Sequence, residues 1–345
     1  MKVLITGGAG FIGSHVAEFF SRDNSVTLYD NLSRSQMLGS PVKNGRYNLD
    51  YLTARGSRIE FCEADLRDFQ SLKNAAKTAD FIVHTAGQVA VTTSIKDPRT
   101  DFEINALGTL NVLEAARLND AAVVFCSTNK VYGENVNRIR VIERDSRYTF
   151  NDSLYLNGVP ENFSIDNAGH SPYGSSKLAA DTYVQEYAHT YGLRTGVFRM
   201  SCIYGERQFG VEDQGWLAWF SIATLTDKPV VIYGNGKQVR DVLHVTDLVH
   251  AFDMFLQSKV SHAVFNVGGG PDNTLSLLEL LTLLRSLTGK EPKVSFREWR
   301  HFDQKVYVSD IRKANQGTGW KPTISPQEGV KRMVEWIGKN RAVLN

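Results

Sequence analysis

The sequence predicts an α/β fold in which a doubly wound parallel sheet is joined to a smaller, mixed α/β lobe. Two observations predict it. Short, continuous apolar runs alternate with stretches of helical spacing as far as about residue 205, as expected for strands that are buried on both faces. From about Ile203 the pattern becomes less regular, with aromatic and glycine-rich connections. The first part therefore predicts the parallel sheet, and the second part predicts the lobe.

The chain begins with a strand, a glycine-rich turn and a helix. KVLIT (2–6) is the strand, GGAGFIG (7–13) is the turn, and SHVAEFFSRD continues with helical spacing. The glycines fit the pattern G-x-G-x-x-G, in which backbone amides at the start of a helix face a pyrophosphate. The turn therefore predicts a Rossmann-type sheet that binds a dinucleotide. The predicted contacts in this segment are Gly7, Gly10, Phe11 and Ile12.

The second strand ends on an acidic residue. SVTLYD (25–30) closes with Asp30, twenty residues beyond Gly10. A carboxylate at this position can accept both ribose hydroxyls of the adenosine and repels a 2′-phosphate, which favours NAD over NADP. Arg34, in the NLSR segment that follows, could accommodate that phosphate, so NADP stays open. Further predicted cofactor contacts in this segment are Asn31 and Ser33.

Four later runs continue the alternation. The predicted strands are RIEFCEADL (58–66), DFIVHTAG (80–87), AAVVFCST (121–128) and TGVFRMSCIYG (195–205), with a long helix from about 98 to 119. In a parallel sheet the ligand lies beyond the carboxyl ends of the strands. The residues at those ends should therefore share one cleft: Asp65, Ala86, Gly87, Gln88, Thr128 and Ser201. For Gln88 the alternative is a side chain that hydrogen-bonds only loop backbone.

The segment SPYGSSK (171–177) places a phenol and an ammonium one helical turn apart. Its Ser-Pro pair is typical of a helix start, and a helical pattern continues as far as Gly192. Tyr173 and Lys177 are therefore neighbours on one face of a helix. A free tyrosine has a pKa of about 10, so ionisation near neutral pH needs about 4 kcal/mol of phenolate stabilisation, part of which a cation supplies. The alternative is a plain surface pair.

Together these segments resemble the extended short-chain dehydrogenase/reductase family that acts on nucleotide sugars, and the resemblance covers nearly the whole chain. The motifs that carry it are TGGAGFIG (6–13), DNLSR (30–34), ADL (64–66), HTAG (84–87), NALGTLNVLEAA (105–116), STNKVYG (127–133), SPYGSSK (171–177) and QVRDVLHVTD (238–247). The resemblance implies an enzyme that uses NAD and needs no metal.

The resemblance also implies the roles of individual residues. Tyr173 would be the acid/base, Lys177 would lower its pKa and hold the nicotinamide ribose, and Thr128 would hydrogen-bond the reacting hydroxyl. The other cofactor contacts that it implies are Asp65, Leu66, Ala86, Gly87, Gln88, Asn105 and Met200, together with Tyr173 and Lys177 themselves.

The residues after Thr128 narrow the type of reaction. Dehydratases of this family have an Asp-Glu pair directly after the threonine, and related decarboxylases keep a glutamate there. This chain has Asn129 and Lys130 instead. An amide cannot exchange a proton near neutral pH, and an ammonium reverses the charge. Both chemistries are therefore disfavoured, and removal and return of a hydride, which is epimerisation, remains.

Three segments are most similar to members of the family that epimerise a CDP-hexose at C2. They are STNKVYG, AGQVAVTTS (86–94) and RQFGVEDQGWLAWF (207–220). This similarity implies transient oxidation at C2 by NAD, rotation of the 2-keto sugar and return of the hydride to its other face. The alternatives are a 4-epimerase of UDP- or GDP-sugars and a non-catalytic NAD-binding regulator. The nucleotide base stays open.

The second lobe is expected to bind the nucleotide sugar. The expected boundaries are 1–202 with about 241–270 for the NAD-binding domain, and about 203–240 with 271–345 for the lobe. Residues 134–170 form an insertion before the catalytic helix that we expect to cover the sugar, because loops of that length usually have a function.

Substrate contacts are predicted on both parts of the chain. Arg240 is the predicted partner of the substrate pyrophosphate, because a guanidinium matches phosphate oxygens in bidentate geometry. The other predicted contacts are Gln88, Thr128, Asn129, Lys130, Arg207, Gln208, Arg300 and Gln304. In relatives the helices near 98–119 and 171–191 pair with their copies, so the resemblance also implies a homodimer.

Composition argues against several other classes of protein. The 345 residues include 39 Lys and Arg against 37 Asp and Glu, without a basic block, so neither nucleic acid nor an anionic membrane is an expected partner. No apolar run is long enough to span a membrane, and no leader precedes the first glycines, which favours a cytoplasmic location. Cys62, Cys126 and Cys202 are far apart and are expected to be buried thiols.

Overall fold

The structure of this protein is a computed structural model, which describes residues 1–37, 45–55 and 58–344. The chain divides into two units. Unit 1 consists of Met1–Val131, Ser171–Arg199 and Phe255–Phe265, and unit 2 consists of Tyr132–His170, Met200–Met254 and Asn266–Asn345. These units follow contacts within the fold, whereas the predicted domains follow the expected ligands. The predicted domain boundaries therefore stay a prediction.

The strands coincide with apolar runs of the sequence, because such runs suit strands that are covered on both faces. In the described residues they are β1 (Lys2–Thr6), β2 (Ser25–Asp30), β3 (Ile59–Glu63), β4 (Phe81–His84), β5 (Ala122–Thr128), β6 (Val141–Glu143), β7 (Tyr148–Phe150), β8 (Thr195–Met200), β9 (Cys202–Tyr204), β10 (Val230–Tyr233), β11 (Val239–His244), β12 (His262–Val267), β13 (Thr274–Ser276), β14 (Val294–Arg297) and β15 (Val306–Tyr307).

Helices connect most of these strands. The α-helices in the described residues are α1 (Phe11–Phe20), α2 (Arg34–Met37), α3 (Tyr47–Thr53), α4 (Phe69–Ala76), α5 (Val91–Lys96), α6 (Pro98–Phe102), α7 (Gly108–Arg117), α8 (Ser171–Tyr191), α9 (Trp216–Leu225), α10 (Val245–Gln257), α11 (Leu277–Thr288), α12 (Arg312–Thr318) and α13 (Pro326–Lys339). A π-helix spans Glu103–Leu107, and 3-10 segments span Asn129–Arg138, Ser153–Tyr155 and Arg341–Val343.

A seven-stranded sheet in the order β12-β8-β5-β4-β1-β2-β3 confirms the predicted α/β fold. β1 pairs in parallel with both β2 and β4, so that Val3 lies opposite Val26 and Phe81. The strand order runs outward from β1 in both directions, which is the doubly wound arrangement. The carboxyl ends of β1 and β4 therefore flank the point where the order reverses, the usual ligand position in such sheets.

Helices α7 and α8 are fixed to this sheet by a buried apolar core. Val112 of α7 and Val184 of α8 pack in one cluster with Ile82, Val123 and Phe125 of the strands. Each fully buried side chain of this size contributes about 1.5–3 kcal/mol. The part of α8 beyond its first two turns is thus anchored by packing, which holds its first turns at the carboxyl end of β5.

The long helix predicted from about 98 to 119 is interrupted by the π-helix Glu103–Leu107, which joins α6 to α7. Asn105 lies within it and is buried. The Thr109 hydroxyl donates to the Asn105 carbonyl at 2.5 Å and so satisfies part of the irregular backbone. A π turn inside a helix is often found at a functional site, and here it contains a predicted cofactor contact.

The segment 195–205, predicted as one strand, forms two strands. β8 lies in the central sheet, whereas β9 pairs in parallel with β11, with Ile203 opposite Leu243. Ser201 lies between them, and its hydroxyl donates to the Asp241 carbonyl at 3.0 Å. The Ser201 side chain therefore helps to hold the connection between the two strands, and its place in a ligand cleft stays a prediction.

Unit 2 contains three small sheets within the described residues. One joins β13, β11 and β15 with β9 beside β11, another pairs β10 with β14, and the third is the antiparallel pair β6 and β7. That last pair belongs to the insertion 134–170. Tyr148 of β7 is buried with Val239 and Val306, and the Tyr148 amide donates to the Lys237 carbonyl at 2.8 Å. The hairpin is thus packed against the rest of unit 2, while its role over the sugar stays a prediction.

The cysteines differ from their prediction in one respect. These three cysteines form no disulfide with one another, and Cys126 is buried, but Cys62 and Cys202 are only partly buried. Cys62 lies on β3, which is the last strand at one end of the central sheet as the structure describes it.

None of the helices in the described part of the chain combines the length and the apolar composition that crossing a bilayer requires.

Candidate active site

Three side chains meet where β5 ends and α8 begins. Thr128 is the last residue of β5, and Tyr173 and Lys177 lie one turn apart at the start of α8. All three are buried, and a hydrogen bond joins the Tyr173 and Thr128 side chains. The Tyr173–Lys177 pair is therefore not a surface pair, and the three residues predicted to be catalytic lie together.

The start of α8 is held by two serines. Ser171 has a left-handed φ of 61°, and its hydroxyl accepts the Gly174 amide at 3.2 Å. Ser94 of α5 accepts the Tyr173 amide at 3.1 Å and donates to the Val91 carbonyl at 2.8 Å. The first amides of a helix lack partners within it. These two bonds therefore fix the turn that carries Tyr173.

The Lys177 ammonium is held by residues near the carboxyl end of β5. Its Nζ atom donates to the Cys126 carbonyl at 2.6 Å and lies 4.2 Å from the centroid of the Phe125 ring. Burial lowers the pKa of Lys177 to about 8, with Cys126, Asp181 and Asp101 acting in the opposite direction. The side chain is therefore largely charged at neutral pH and loses its charge in mildly alkaline solution.

Burial also dominates the ionisation of Tyr173. It raises the pKa of Tyr173 to about 12, and the hydrogen bond to Thr128 opposes the increase. From the sequence, Lys177 is expected to lower this pKa. In the protein alone the net direction is upward, because burial outweighs the hydrogen bond from Thr128. A phenolate at neutral pH therefore requires additional positive charge from what binds beside it.

The glycine turn packs closely against the loop after β4. Gly7 has a φ of 70°, and a Cβ there would lie 2.7 Å from the amide nitrogen of Ala86. Helix α1 begins after Gly10 without a capping side chain, so the predicted contacts Phe11 and Ile12 lie in a first turn whose amides can bind an anion. The turn fits the pyrophosphate of a dinucleotide.

Asp30 lies beside this turn at the end of β2. Its Oδ2 atom accepts the Ala9 amide at 3.0 Å, and Oδ1 accepts the Leu32 amide at 2.8 Å. Burial raises the pKa of Asp30. Each carboxylate oxygen keeps a second lone pair for a ribose hydroxyl. Arg34, the first residue of α2, has its pKa lowered by burial, and its role toward a 2′-phosphate stays open.

The polar residues after β2 and β3 are joined to one another. The Asn31 amide donates to Asp65 Oδ2 at 2.8 Å, and Asn31 Oδ1 accepts the Ser33 amide at 3.1 Å. Arg67 binds the Asp65 carboxylate with two nitrogens, at 2.9 and 2.8 Å, which lowers the pKa of Asp65 to about 2. Asp65 is therefore anionic across the neutral range, and the buried Leu66 follows it.

The loop after β4 passes next to Lys177. A Cβ on Gly87 would lie 2.9 Å from Asn105 Oδ1 and 4.0 Å from Lys177 Nζ. Gln88 is buried, and its amide nitrogen donates to Asp101 Oδ1 at 2.7 Å and to a loop carbonyl at 2.9 Å. These contacts give Gln88 a part in holding the loop, which is the alternative weighed from the sequence. Its contact with a ligand stays a prediction.

The residues that follow Thr128 surround its hydroxyl. Thr128 Oγ1 donates to Asn129 Oδ1 at 3.4 Å and accepts the Lys130 amide at 3.2 Å. Asn129 is buried beside it. An amide at this position supplies no proton donor or acceptor that titrates near neutrality. Met200, a further predicted cofactor contact, is the last residue of β8.

In unit 2 two predicted substrate contacts share one partner. Arg240 donates from Nη2 to Asp303 Oδ1 at 2.6 Å and from Nη1 to the Val239 carbonyl at 2.8 Å. The Gln304 backbone amide donates to the same Asp303 oxygen at 2.9 Å. A guanidinium held in this way is oriented before a ligand arrives, and binding of a pyrophosphate by Arg240 stays a prediction.

The other residues of unit 2 that are predicted to bind the substrate contact different partners. Arg300 pairs with Asp213 at 2.8 Å, and its guanidinium lies 3.9 Å from the centroid of the Tyr233 ring. Arg207 is buried with a left-handed φ of 60°, and the Gln208 amide donates to a backbone carbonyl of β9 at 3.2 Å.

Sequence reasoning missed three residues that support the catalytic helix: Ser94, Asp101 and Ser176. Asp101 had an available signal, because it lies four residues before Asn105 and so on the same helical face. Ser176 directly precedes Lys177 but faces inward. No local sequence pattern pointed to Ser94, because its contact with Tyr173 joins residues 79 positions apart.

Comparison with known proteins agrees with this geometry. The NAD dependent epimerase/dehydratase family matches residues 3–268. The CDP-paratose 2-epimerase of Salmonella typhi is 42% identical over 348 residues, covering 97% of this chain and 99% of that protein.

Solved structures share the fold over the whole chain. The Thermus thermophilus UDP-glucose 4-epimerase in complex with NAD has a TM-score of 0.80 and 30% identity, covering 99% of this chain and 100% of that one. The Bacillus cereus UDP-glucuronic acid 4-epimerase in complex with UDP-glucuronic acid and NAD has a TM-score of 0.82 and 26% identity, covering 98% and 99%. With its glycine turn, its doubly wound sheet and this full-length similarity, the chain belongs to the NAD dependent epimerase/dehydratase family.

Proposed function

We propose that this protein inverts the configuration at C2 of a CDP-linked hexose by transient oxidation. The observation that carries the proposal is the buried group of Thr128, Tyr173 and Lys177 at the carboxyl end of β5. Membership of the family makes the protein an NAD-dependent sugar-nucleotide epimerase, and a non-catalytic regulator is therefore not favoured. The position of inversion and the nucleotide base are the proposed parts.

NAD, when bound, supplies a hydride acceptor for the oxidation, a hydride donor for the return, and positive charge beside the phenol. In this chain the glycine turn with Phe11 and Ile12 would hold the pyrophosphate, Asp30 the adenosine ribose and Lys177 the nicotinamide ribose. The fit rests on the uncapped first turn of α1, which directly follows the glycine turn.

Proton transfer falls to Tyr173. As phenolate it would accept the proton of the C2 hydroxyl while Thr128, its hydrogen-bond partner, orients that hydroxyl. Once the ketone has turned over, the same phenol would return the proton to the oxygen. Removal and return balance, so the reaction consumes no net oxidant. Burial of the phenol keeps water away from the ketone formed in between.

One feature favours epimerisation over dehydration, and a second supports C2 as the position of inversion. Asn129 and Lys130 stand where dehydratases place acids, and without an acid at this position elimination of water lacks its proton donor. The 42% identity to a CDP-paratose 2-epimerase supports CDP-hexose as the substrate class. A 4-epimerase of UDP-sugars is the second candidate, because the two solved relatives described above are 4-epimerases.

The test is incubation of the NAD-loaded protein with CDP-paratose or CDP-tyvelose in D₂O, followed by NMR of the sugar. The C2 epimer should form without deuterium at C2, because the hydrogen on that carbon returns as hydride. Deuterium at C2 in an active enzyme would indicate proton abstraction from carbon and would refute the mechanism. Turnover of UDP-glucose to its C4 epimer, with no reaction of CDP-sugars, would establish the second candidate instead.

We also propose that the chain forms a homodimer through α6, α7 and α8. Large apolar side chains on these helices are exposed, with Phe102 at 55% and Tyr183 at 50%. Exposed apolar side chains on neighbouring elements are typical of surfaces that a partner covers. A second copy of this chain is the partner that the family resemblance implies.

A further inference from the structure

A carboxylate outside the predicted catalytic group is buried behind the start of α8. Asp101 of α6 is 1% exposed. Its Oδ1 atom accepts the side-chain amides of Gln88 at 2.7 Å and of Asn105 at 3.1 Å. Its Oδ2 atom accepts the Ser176 hydroxyl at 2.5 Å. One carboxylate thus joins the loop after β4, the π-helix and the catalytic helix.

These three hydrogen bonds come from neutral groups, so the charge of Asp101 must be balanced from elsewhere. The cation that acts on it is Lys177, which lowers the pKa of Asp101 against the larger effect of burial. In return, Asp101 raises the pKa of Lys177 and also raises that of Tyr173. Asp101 therefore favours the charged form of the lysine and disfavours the charged form of the tyrosine.

The second carboxylate near Lys177 is already neutralised. Asp181, one turn further along α8, is fully buried and binds Arg199 at 2.9 Å. It also accepts the Ser127 hydroxyl at 2.7 Å. Asp181 also raises the pKa of Lys177, more than Asp101 does, but its charge has a partner in Arg199, whereas Asp101 has no such ion pair among its hydrogen bonds described above.

The other titratable groups that face Lys177 and Tyr173 are uncharged at neutral pH. From β5, the buried Cys126 thiol has a pKa raised to about 12. From β4, burial lowers the pKa of His84 to about 3, so the imidazole is neutral. Asp97 also acts on Asp101 and raises its pKa, but it lies on the surface.

We propose that Asp101 is a positioning residue of this active site, which fixes Ser176 and the first turns of α8 and balances the charge of Lys177. The inference rests on the proposed roles of Tyr173 and Lys177. Ser94 supplies the second anchor of the same turns through the Tyr173 amide. The connection from β4 to the π-helix thus holds both ends of the Tyr173–Lys177 pair.

Asp101→Asn is the direct test, because it removes the charge and keeps the shape. The asparagine amide can donate to the Ser176 hydroxyl, which can turn to the Tyr173 carbonyl 3.0 Å away. Without the negative charge both pKa values should fall, so both limbs of the pH profile of kcat should move to lower pH by about half a unit or more. A loss of kcat on the order of 10-fold should accompany the shift.

Two further variants separate charge from positioning. Asp97→Asn removes an exposed charge from the N-cap of α6, where Asn caps as well as Asp, and should leave the profile and kcat unchanged. Ser176→Ala keeps the Asp101 charge and removes its bond to α8, so kcat should fall while the limbs stay in place. If both limbs of the pH profile of kcat in Asp101→Asn coincide with those of the unaltered enzyme, the proposed electrostatic effect of Asp101 is refuted. Unchanged kcat in Ser176→Ala would overturn the positioning part.

A readout without turnover keeps this test independent of the substrate. In the NAD-bound protein, ultraviolet titration of tyrosinate, taken as the difference from Tyr173→Phe, reports the ionisation of Tyr173 alone. Asp101→Asn should lower the midpoint of that titration. If no nucleotide sugar is epimerised, the proposed function fails, while the titration still decides on Asp101. An unmoved midpoint in an active enzyme refutes the role of Asp101 alone.

Discussion

The Lys177 ammonium is bound to the Cys126 carbonyl at 2.6 Å. The hydrogen bond holds this lysine from the backbone of β5, and its Nζ atom lies 4.2 Å from the centroid of the Phe125 ring. Lys177 therefore keeps its position independently of the Tyr173 hydroxyl. The two side chains can be altered separately, which makes their roles distinguishable by mutation.

Tyr173→Phe should abolish epimerisation without loss of NAD. The variant removes the proton acceptor, so we expect kcat to fall at least about 1000-fold, while the anchored lysine keeps the cofactor affinity within about threefold. Steady-state kinetics and NAD titration by fluorescence measure both. Tyr183→Phe, an exposed tyrosine on the same helix, is the control and should behave like the unaltered enzyme. A Tyr173→Phe variant with normal kcat would remove the tyrosine from the mechanism.

Gly7→Ala should disrupt cofactor binding far more than its backbone strain alone implies. Gly7 and Gly192 have almost the same left-handed φ, 70° and 69°. A Cβ at Gly192 meets nothing within 4 Å, whereas one at Gly7 would lie 2.7 Å from the Ala86 amide nitrogen. Gly192→Ala should therefore cost only about 1 kcal/mol of unfolding free energy. Gly7→Ala should cost about 3 kcal/mol or more and lose measurable NAD binding.

Urea unfolding and NAD titration of the two glycine variants test this comparison. Because the φ values match, the difference between the variants isolates the crowding at the glycine turn. Equal losses of stability, with NAD binding retained in Gly7→Ala, would contradict both the crowding at Gly7 and the role of this turn in cofactor binding.

Asp30 should set the preference for NAD over NADP. Its partly buried carboxylate accepts the Ala9 amide of the glycine turn, and a 2′-phosphate beside it would cost several kcal/mol. We expect NADP to bind at least about 100-fold more weakly than NAD, and Asp30→Asn to narrow that gap. Isothermal titration with each cofactor measures it, with the exposed Asp23→Asn as the control. Equal affinity of the unaltered protein for both cofactors would instead favour the phosphate-binding role of Arg34.

Local sequence patterns were sufficient for the sheet and for the centre of the site. The glycine turn, Asp30 and the Tyr173–Lys177 pair each depend on spacing within one strand–turn–helix unit or one helix, so a single sequence reveals them. The hydrogen bonds that fix the Tyr173–Lys177 pair do not depend on such local spacing. Ser94 to Tyr173 joins residues 79 positions apart, and Asp101 to Ser176 joins residues 75 apart. Such contacts depend on how helices pack, and no local pattern encodes them.

The direction of the pKa shift of Tyr173 could not be predicted from the sequence either. Spacing placed an ammonium next to a phenol and predicted a lowered pKa for Tyr173. The structure shows that burial raises this pKa instead, because desolvation depends on the surrounding fold. The Ser201 contact could not be predicted for a similar reason, because its hydroxyl binds the Asp241 carbonyl 40 positions along the chain.

Charged substitutions on α6 and α8 should separate the proposed dimer. Phe102 and Tyr183 are about half exposed on these helices, and a buried charge in an apolar interface costs several kcal/mol. Phe102→Asp combined with Tyr183→Asp should give a monomer of unchanged secondary structure. Leu154→Asp, at a leucine that is 79% exposed in unit 2, is the control and should stay dimeric. Light scattering coupled to size exclusion measures the mass, and a monomeric unaltered protein would contradict the proposal.

His84 should make the stability of the fold dependent on pH below neutrality. The imidazole is buried between the Thr6 and Thr109 hydroxyls, at 2.7 and 3.0 Å, and burial lowers its pKa from 6.5 to about 3. The unfolded chain therefore binds a proton that the folded chain excludes. Its contribution is fully present above about pH 6.5 and is lost as pH falls toward 3, by up to about 1.4 kcal/mol per unit.

Urea unfolding of the unaltered protein and of His84→Asn, from about pH 7 to about pH 5, measures this contribution. The asparagine keeps an acceptor and a donor but does not titrate, so the variant should be less stable at pH 7 and should lose less stability on acidification. The difference in unfolding free energy between the two proteins should therefore shrink as pH falls. A constant difference would mean that His84 is protonated in the folded protein or accessible to solvent, contrary to its position between the two threonines.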